Sequence, residues 1–175
     1  EDRFIQYTDA SKPSYLPIAE HPERMNINVT VTGGGGGPGG GIDWFHENGV
    51  DYNAELDQIA FSARYLSEIF IIDHSTTTEE AAGHTGGNAG RGGDFLFRWG
   101  KPANYGITGT QRIPSAVHDV KWVRSDAPNA GWLMFVNNNG GGGNTTTIDA
   151  INPVRDGYNY PWTPGTVWGP ATYDW

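Results

Sequence analysis

Five side chains in this 175-residue chain stand at the ends of short extended segments and could carry proton or group transfer: His46, Arg64, His74, His84 and His118. An imidazole with an ordinary pKa near ~6.5 is populated in both forms close to neutral pH, so a histidine can be nucleophile, acid or base. A guanidinium stays charged and presents a planar fork to the oxygens of an anion. Taken singly, each histidine is first a hydrogen-bonding surface or loop residue, and His21 in Glu20-His21-Pro22-Glu23 is a loop residue in the same sense. Better-defined motifs are absent. His46-Glu47-Asn48-Gly49 is not HExxH, the GxGxxG match lies in a glycine tract with no helix behind it, and there is no GxSxG elbow or EF-hand spacing. The chain has no Cys, which removes disulfides, thiolate catalysis and Cys-based zinc sites. Asn88 and Asp94 alone supply too few oxygens for calcium, so neither a metal nor a cofactor is expected.

Positioning these residues falls to short strands. β-branched and aromatic runs bounded by turn residues occur at Gln58 to Arg64, Ser67 to Asp73, Asp94 to Trp99, Val117 to Val123 and Gly131 to Asn137. The best helical window, Thr78 to Ala82, runs into Gly83 and allows one turn. Gly33 to Gly41 and Gly140 to Gly143 hold 12 of the 26 glycines and read as exposed loops. His46 and His118 each open a strand-turn-strand unit, 72 residues apart, with about four short strands per unit. Such weak self-similarity suits a radial β architecture such as a propeller, and a β-sandwich nearly as well.

Composition agrees with an all-β class. Gly 26 and Pro 11 make up about a fifth of the chain, well above the usual share, which disfavours long helices. Hydrophobic residues are only 37%, yet Trp 7, Tyr 8 and Phe 7 provide the large side chains a disordered chain lacks. A net charge of −9 without a basic cluster excludes nucleic acid as a partner. The longest apolar runs, Ile69 to Ile72 and Trp132 to Val136, have strand length, so no membrane span is expected. The chain opens with Glu1 and carries no apolar signal segment, the expectation for a mature, clipped or partial chain.

The wording of the strands is more specific than their statistics. Asp43-Trp44-Phe45-His46-Glu47-Asn48-Gly49-Val50-Asp51-Tyr52 follows a DW-x-H-x-N-x-x-x-Y pattern, Ser62-Ala63-Arg64 an S-x-R pattern, and Ala116-Val117-His118-Asp119 and Phe135-Val136-Asn137-Asn138-Asn139-Gly140 come later in the same order. Together these resemble the arylsulfotransferase family, closest to a bacterial branch that also carries segments similar to Ile72 to Thr78, Gly83 to Asn88, Phe97 to Pro102 and Ile148 to Pro153.

That resemblance implies a six-bladed β-propeller of which residues 1–175 cover the last two to three blades: 1–41 an entry segment with its Gly-rich loop, 42–115 one blade with a long loop, and 116–175 the next blade with an aromatic tail. It implies transfer of a sulfuryl group from an aryl sulfate to a phenol by a ping-pong route, with no nucleotide donor. His118 would become sulfated, while His46 and Arg64 would hold the sulfuryl oxygens and stabilise the departing phenolate. Trp44, Tyr65, Trp122 and Asn137 are substrate-binding candidates. The family's further histidine, from an earlier blade, has no counterpart in Glu1 to Thr32, and Tyr65 stands where some members have His. An open propeller piece would leave strand edges and an apolar blade face for copies of itself or other chains to cover. A periplasmic or extracellular location is expected, and Asn28 and Asn144, in N-x-S/T sequences flanking loops, are glycosylation candidates. The alternative of a different class is a non-enzymatic, extracellular, self-assembling or filament-forming β protein, indifferent to replacement of His46, Arg64 and His118. A third is a pseudoenzyme that binds aryl or sulfated-glycan ligands through Trp44 and Trp122.

Overall fold

A computed structural model describes residues 4–5, 9–12, 15–31, 43–142 and 144–175. The glycine tract from 33 to 41 and Gly143 lie outside the described residues. Two antiparallel meanders dominate. The first orders β3 (Glu47–Asn53), β4 (Gln58–Ala63), β5 (Glu68–Asp73) and β6 (Phe95–Gly100) as neighbours, and the second orders β7 (Val117–Trp122), β8 (Leu133–Asn137) and β9 (Thr147–Ile151). A short parallel pair, β1 (Phe4–Ile5) with β2 (Met25–Asn26), precedes them. Among the described residues helix is confined to α1 (Thr78–Ala81) and 3-10 turns at Ile18–Glu20 and Pro102–Tyr105.

The turns follow from their residues. Asn53 Oδ1 accepts the backbone N–H groups of Glu55 and Leu56, both at 3.1 Å, and so reverses the chain between β3 and β4. Between β4 and β5 the Ser67 N–H reaches the Arg64 carbonyl at 3.2 Å. The longer connection from β5 to β6 is held by a capping box, in which the Thr77 hydroxyl accepts from the Glu80 N–H and the Glu80 carboxylate accepts from the Thr77 N–H. Asp73 fastens the same loop by accepting from the Ser75 and Ala89 N–H groups at 3.0 and 2.8 Å.

The first sheet is covered on both faces, which is why β5 and β6 read as nearly continuous apolar runs without alternation. Ala60, Ile69, Ile71, Phe97 and Trp99 meet Val117, Val120, Trp122, Leu133, Phe135 and Ile151 of the second sheet. On the other face Ala63, Phe70 and Phe95 pack with Met25, Trp44, Phe45 and Phe61. The aromatic tail packs over the first of these cores: Tyr160 and Trp168 are buried, and the Trp99 indole N–H donates to the Pro170 carbonyl at 2.6 Å. Within the second core lies a buried ion pair. Arg98 forks onto Glu68 at 2.9 and 2.8 Å and donates to the Pro22 carbonyl at 3.1 Å, while Asn104 donates to the same carboxylate at 2.8 Å.

The outer edge of β9 takes backbone bonds from the tail: Ala150 N–H to the Trp175 carbonyl at 2.7 Å and Asp174 N–H to the Ala150 carbonyl at 2.8 Å. At β6, the Phe95 N–H is met by the Glu23 carbonyl at 2.9 Å. The expected open edges are therefore covered at these points by the chain itself. Met134 and Ile148 on the second sheet stay exposed. Among the described residues no helix is long and apolar enough to cross a membrane.

Candidate functional site

The two meanders meet through β3 and β7, which lie side by side and run the same way without forming a ladder. Asn48 Nδ2 donates to the Val117 carbonyl at 2.9 Å, Lys121 Nζ to the Val50 carbonyl at 3.2 Å, and the Trp122 N–H to Asp51 Oδ2 at 2.8 Å. Gly49 makes this approach fit, because a Cβ there would stand 2.6 Å from Asp119 Cα and 2.7 Å from the backbone nitrogens of Asp119 and Val120. A bulge at Asn48 breaks the β3–β4 register, and Asn48 Oδ1 is held by the Ser62 hydroxyl at 2.8 Å.

At the starting end of this strand pair His46 and His118 face each other edge to face, with ring centroids 6.2 Å apart. Tyr65 stands against His46 at 5.3 Å and carries the Arg64 guanidinium over its ring at 5.0 Å. The Arg64 N–H donates to the His46 carbonyl at 3.1 Å, so the β4 end and the β3 start are tied by backbone. His46 Nδ1 is bonded to Asp43 Oδ2. The Ala116 carbonyl accepts from His118 Nδ1 at 2.8 Å and from Asn138 Nδ2 at 3.0 Å, one donor for each lone pair, with the two nitrogens 2.8 Å apart. With Nδ1 donating to the Ala116 carbonyl the free lone pair of His118 is on Nε2, whereas a bond accepted from Asn138 Nδ2 puts the hydrogen on Nε2. Arg64 Nε is buried and has no hydrogen-bond partner among the described residues. A guanidinium charge beside two imidazoles favours an oxyanion, and the imidazoles can move protons to and from it.

Of the residues singled out in the sequence, His46, Arg64, Tyr65 and His118 come together here. Trp44 turns into the core, stacking on Phe45 and donating from its indole to the Val29 carbonyl at 2.7 Å. Trp122 lies at the other end of β7, beside a groove of about 710 Å³ that also takes in Asp51, Arg124 and Tyr160. Asn137 is buried: its amide donates to Asp149 at 2.7 Å and Tyr173 at 2.8 Å, and its Oδ1 accepts the Ser115 N–H at 2.8 Å, which fixes the turn ahead of His118. Asn28 bonds Asn26 and Asn144 is exposed. His74 and His84 form local pairs with Asp57 and Asp94, both at 2.7 Å. Burial pushes Asp94 above the usual carboxylate value despite His84. Among the described residues no three His, Cys, Asp or Glu side chains gather as a metal site.

Asp43 and Asn138 were assigned no role from the sequence. Asp43 stands three residues before His46, a spacing that only backbone geometry turns into a contact. Asn138 belongs to a run of three asparagines, and nothing in their identity says which one reaches His118.

Fold and site together define an all-β protein in which the starts of β3 and β7 and the end of β4 bring His46, His118, Tyr65 and Arg64 to one place. The family model described as Arylsulfotransferase (ASST) matches residues 19–155, and the chain belongs to that family. The match is a partial span of a larger family domain. No curated protein and no solved structure matches the chain with significance.

Proposed function

We propose that this chain carries part of a sulfuryl-transfer site that works through a sulfated His118. The observation that carries the reading is the pairing of His46 with His118 at 6.2 Å, with the Arg64 guanidinium over the Tyr65 ring that stands against His46. In the first half-reaction His118 Nε2 attacks sulfur, the N–S bond forms, the S–O(aryl) bond breaks, and the phenolate leaves with a proton from an acid in the site. In the second, an acceptor phenol loses its proton, its oxygen attacks sulfur and the N–S bond breaks. Charge on the sulfuryl oxygens and on the departing oxygen builds as the bonds change. Fixed donors already in place lower that barrier most, which is the work given to Arg64 and His46. Tyr65 holds both at ring contact distance.

In this reading residues 42–115 and 116–175 are neighbouring blades of a six-bladed propeller, with β3 and β7 as their inner strands. Their co-directional approach and the 72-residue offset support it. The substrates are an aryl sulfate and a phenol, and the site belongs in a periplasmic or extracellular chain.

The test is intact mass after incubation with phenyl sulfate, alongside His118→Ala. Gain of one sulfuryl group by the wild type and none by the variant supports the reading. A folded wild type that takes up nothing overturns it.

A further inference from the structure

Among the described residues Asp43 is the side chain bonded to His46, and the proposed clamp gives it no role. Its carboxylate takes Nδ1 of His46, both side chains are about a third exposed, and His46 presents its ring edge-to-face to His118. A carboxylate is an acceptor only, so the bond places a hydrogen on Nδ1 and leaves Nε2 as the nitrogen that can exchange a proton.

We propose that Asp43 is a positioning residue that keeps the Nδ1 hydrogen of His46 in place through both half-reactions, so that every proton His46 gives or takes passes through Nε2. This rests on the sulfuryl-transfer reading above and assigns the acid and base that it requires. The proton count closes. His46 begins as imidazolium; when His118 Nε2 forms its bond to sulfur and the S–O(aryl) bond breaks, His46 Nε2 gives its proton to the departing phenolate oxygen and becomes neutral. When the acceptor phenol attacks, His46 Nε2 takes the phenolic proton as the N–S bond breaks, restoring the starting state. In both states the hydrogen stays on Nδ1 and is donated to the Asp43 carboxylate, whose charge stabilises the cation and fixes the ring. Without the carboxylate the neutral ring can carry its hydrogen on Nε2 instead, and that form cannot accept the phenolic proton.

The experiment compares wild type, Asp43→Asn and Asp43→Glu by two readouts. Proton and nitrogen NMR on histidine-labelled protein reads the His46 ring: the wild type should show a downfield Nδ1–H resonance that disappears in Asp43→Asn and returns in Asp43→Glu. Sulfuryl uptake is then timed with two donors, phenyl sulfate, whose phenolate needs a proton to leave, and 4-nitrophenyl sulfate, whose phenolate leaves without one. Asp43→Asn should slow phenyl sulfate by about tenfold to hundredfold more than 4-nitrophenyl sulfate, a part of the roughly 10²–10⁴-fold that general acid catalysis supplies, and Asp43→Glu should restore much of the difference. Loss of folding would slow both donors equally. Equal slowing in an Asp43→Asn protein whose circular dichroism and urea midpoint match the wild type, or a downfield resonance that survives in Asp43→Asn, overturns the role of Asp43 while leaving His118 sulfation standing. A wild type that never takes up sulfuryl overturns the transfer reading, and the acid-base role with it.

Discussion

Replacing Gly49 with alanine tests whether the close approach of β3 and β7 is what assembles the histidine pair. The added Cβ would lie 2.6 Å from Asp119 Cα and 2.7 Å from two backbone nitrogens. None of these atoms can swing aside as a side chain would, so the strands must part by about 0.8 Å to reach ordinary contact distance. Alanine for glycine within a strand normally gains about 0.5–1 kcal/mol. Overpacking costs about 1–3 kcal/mol, so the clash wins and Gly49→Ala should be less stable in urea denaturation. Parting the strands also moves His118 away from His46, and a misplacement near 1 Å costs roughly hundredfold in rate. The control is Gly83→Ala, where the added Cβ meets only the Glu80 carbonyl oxygen at an ordinary 3.7 Å. Equal urea midpoints for the two variants, with equal rates of sulfuryl uptake, would refute the argument that Gly49 sets the spacing.

Glu68→Gln leaves the Arg98 charge buried beside a neutral partner, and both side chains of the pair are almost completely enclosed. Breaking one half of such a pair costs about 3–5 kcal/mol, so the urea midpoint should fall sharply, and a loss below about 1 kcal/mol would show that the Pro22 and Arg24 carbonyls hold Arg98 unaided. Asp94 gives a pH signature. Burial raises its folded pKa above 3.8, with His84 and Arg91 opposing and Glu23 adding to the shift. A raised carboxylate binds its proton more tightly in the fold, so stability is lost as pH rises from the unfolded value through the folded one. Asp94→Asn should therefore gain on the wild type as pH climbs through that window, and a constant difference across it in paired denaturation curves would count against the burial argument.

Five of the seven main strands were legible because aromatic and β-branched residues cluster between turn residues; Gln58 to Arg64 and Val117 to Val123 were each placed within one residue. β9 was not read as a strand, since Thr147 to Ile151 mixes Asp149 into a five-residue run, and its partner on the outer edge is the tail, whose prolines and glycines give no strand signal. β3 was visible only through its motif: four of its seven residues, Glu47, Asn48, Asp51 and Asn53, are polar or charged, and Gly49 alone would read as a strand breaker. The glycine is there because another backbone passes within contact distance, a tertiary fact that no local propensity encodes. The meeting of His46, Arg64 and His118 followed from family order and spacing. The partners that hold them did not: Asp43 acts through the turn before β3, Asn138 through the β8 end, and Asn137, expected at the substrate, is consumed by Asp149, Tyr173 and Ser115.

The backbone beside the site is itself informative. His46, Ala116 and Asp119 have φ near +50°, a left-handed conformation that costs an L-residue about 1–2 kcal/mol and that glycine would adopt freely. Elsewhere the same conformation falls where turns demand it, at Asp57, Ser67, Asn129 and Asn144. At His46 the cost is offset by the bond from the Arg64 N–H to its carbonyl and by the Asp43 carboxylate on its ring. A glycine at this position would relieve the strain and keep the backbone bond, but it would remove the imidazole facing His118. The proposed role of His46 in sulfuryl transfer would account for a histidine at a position where glycine is cheaper for folding. The same backbone bond makes the relative placement of His46 and Arg64 a property of the β3–β4 pair. The distance to His118 depends instead on two strands that share no ladder, so the β3–β7 contact is the adjustable joint of the site, and Gly49 sits at that joint.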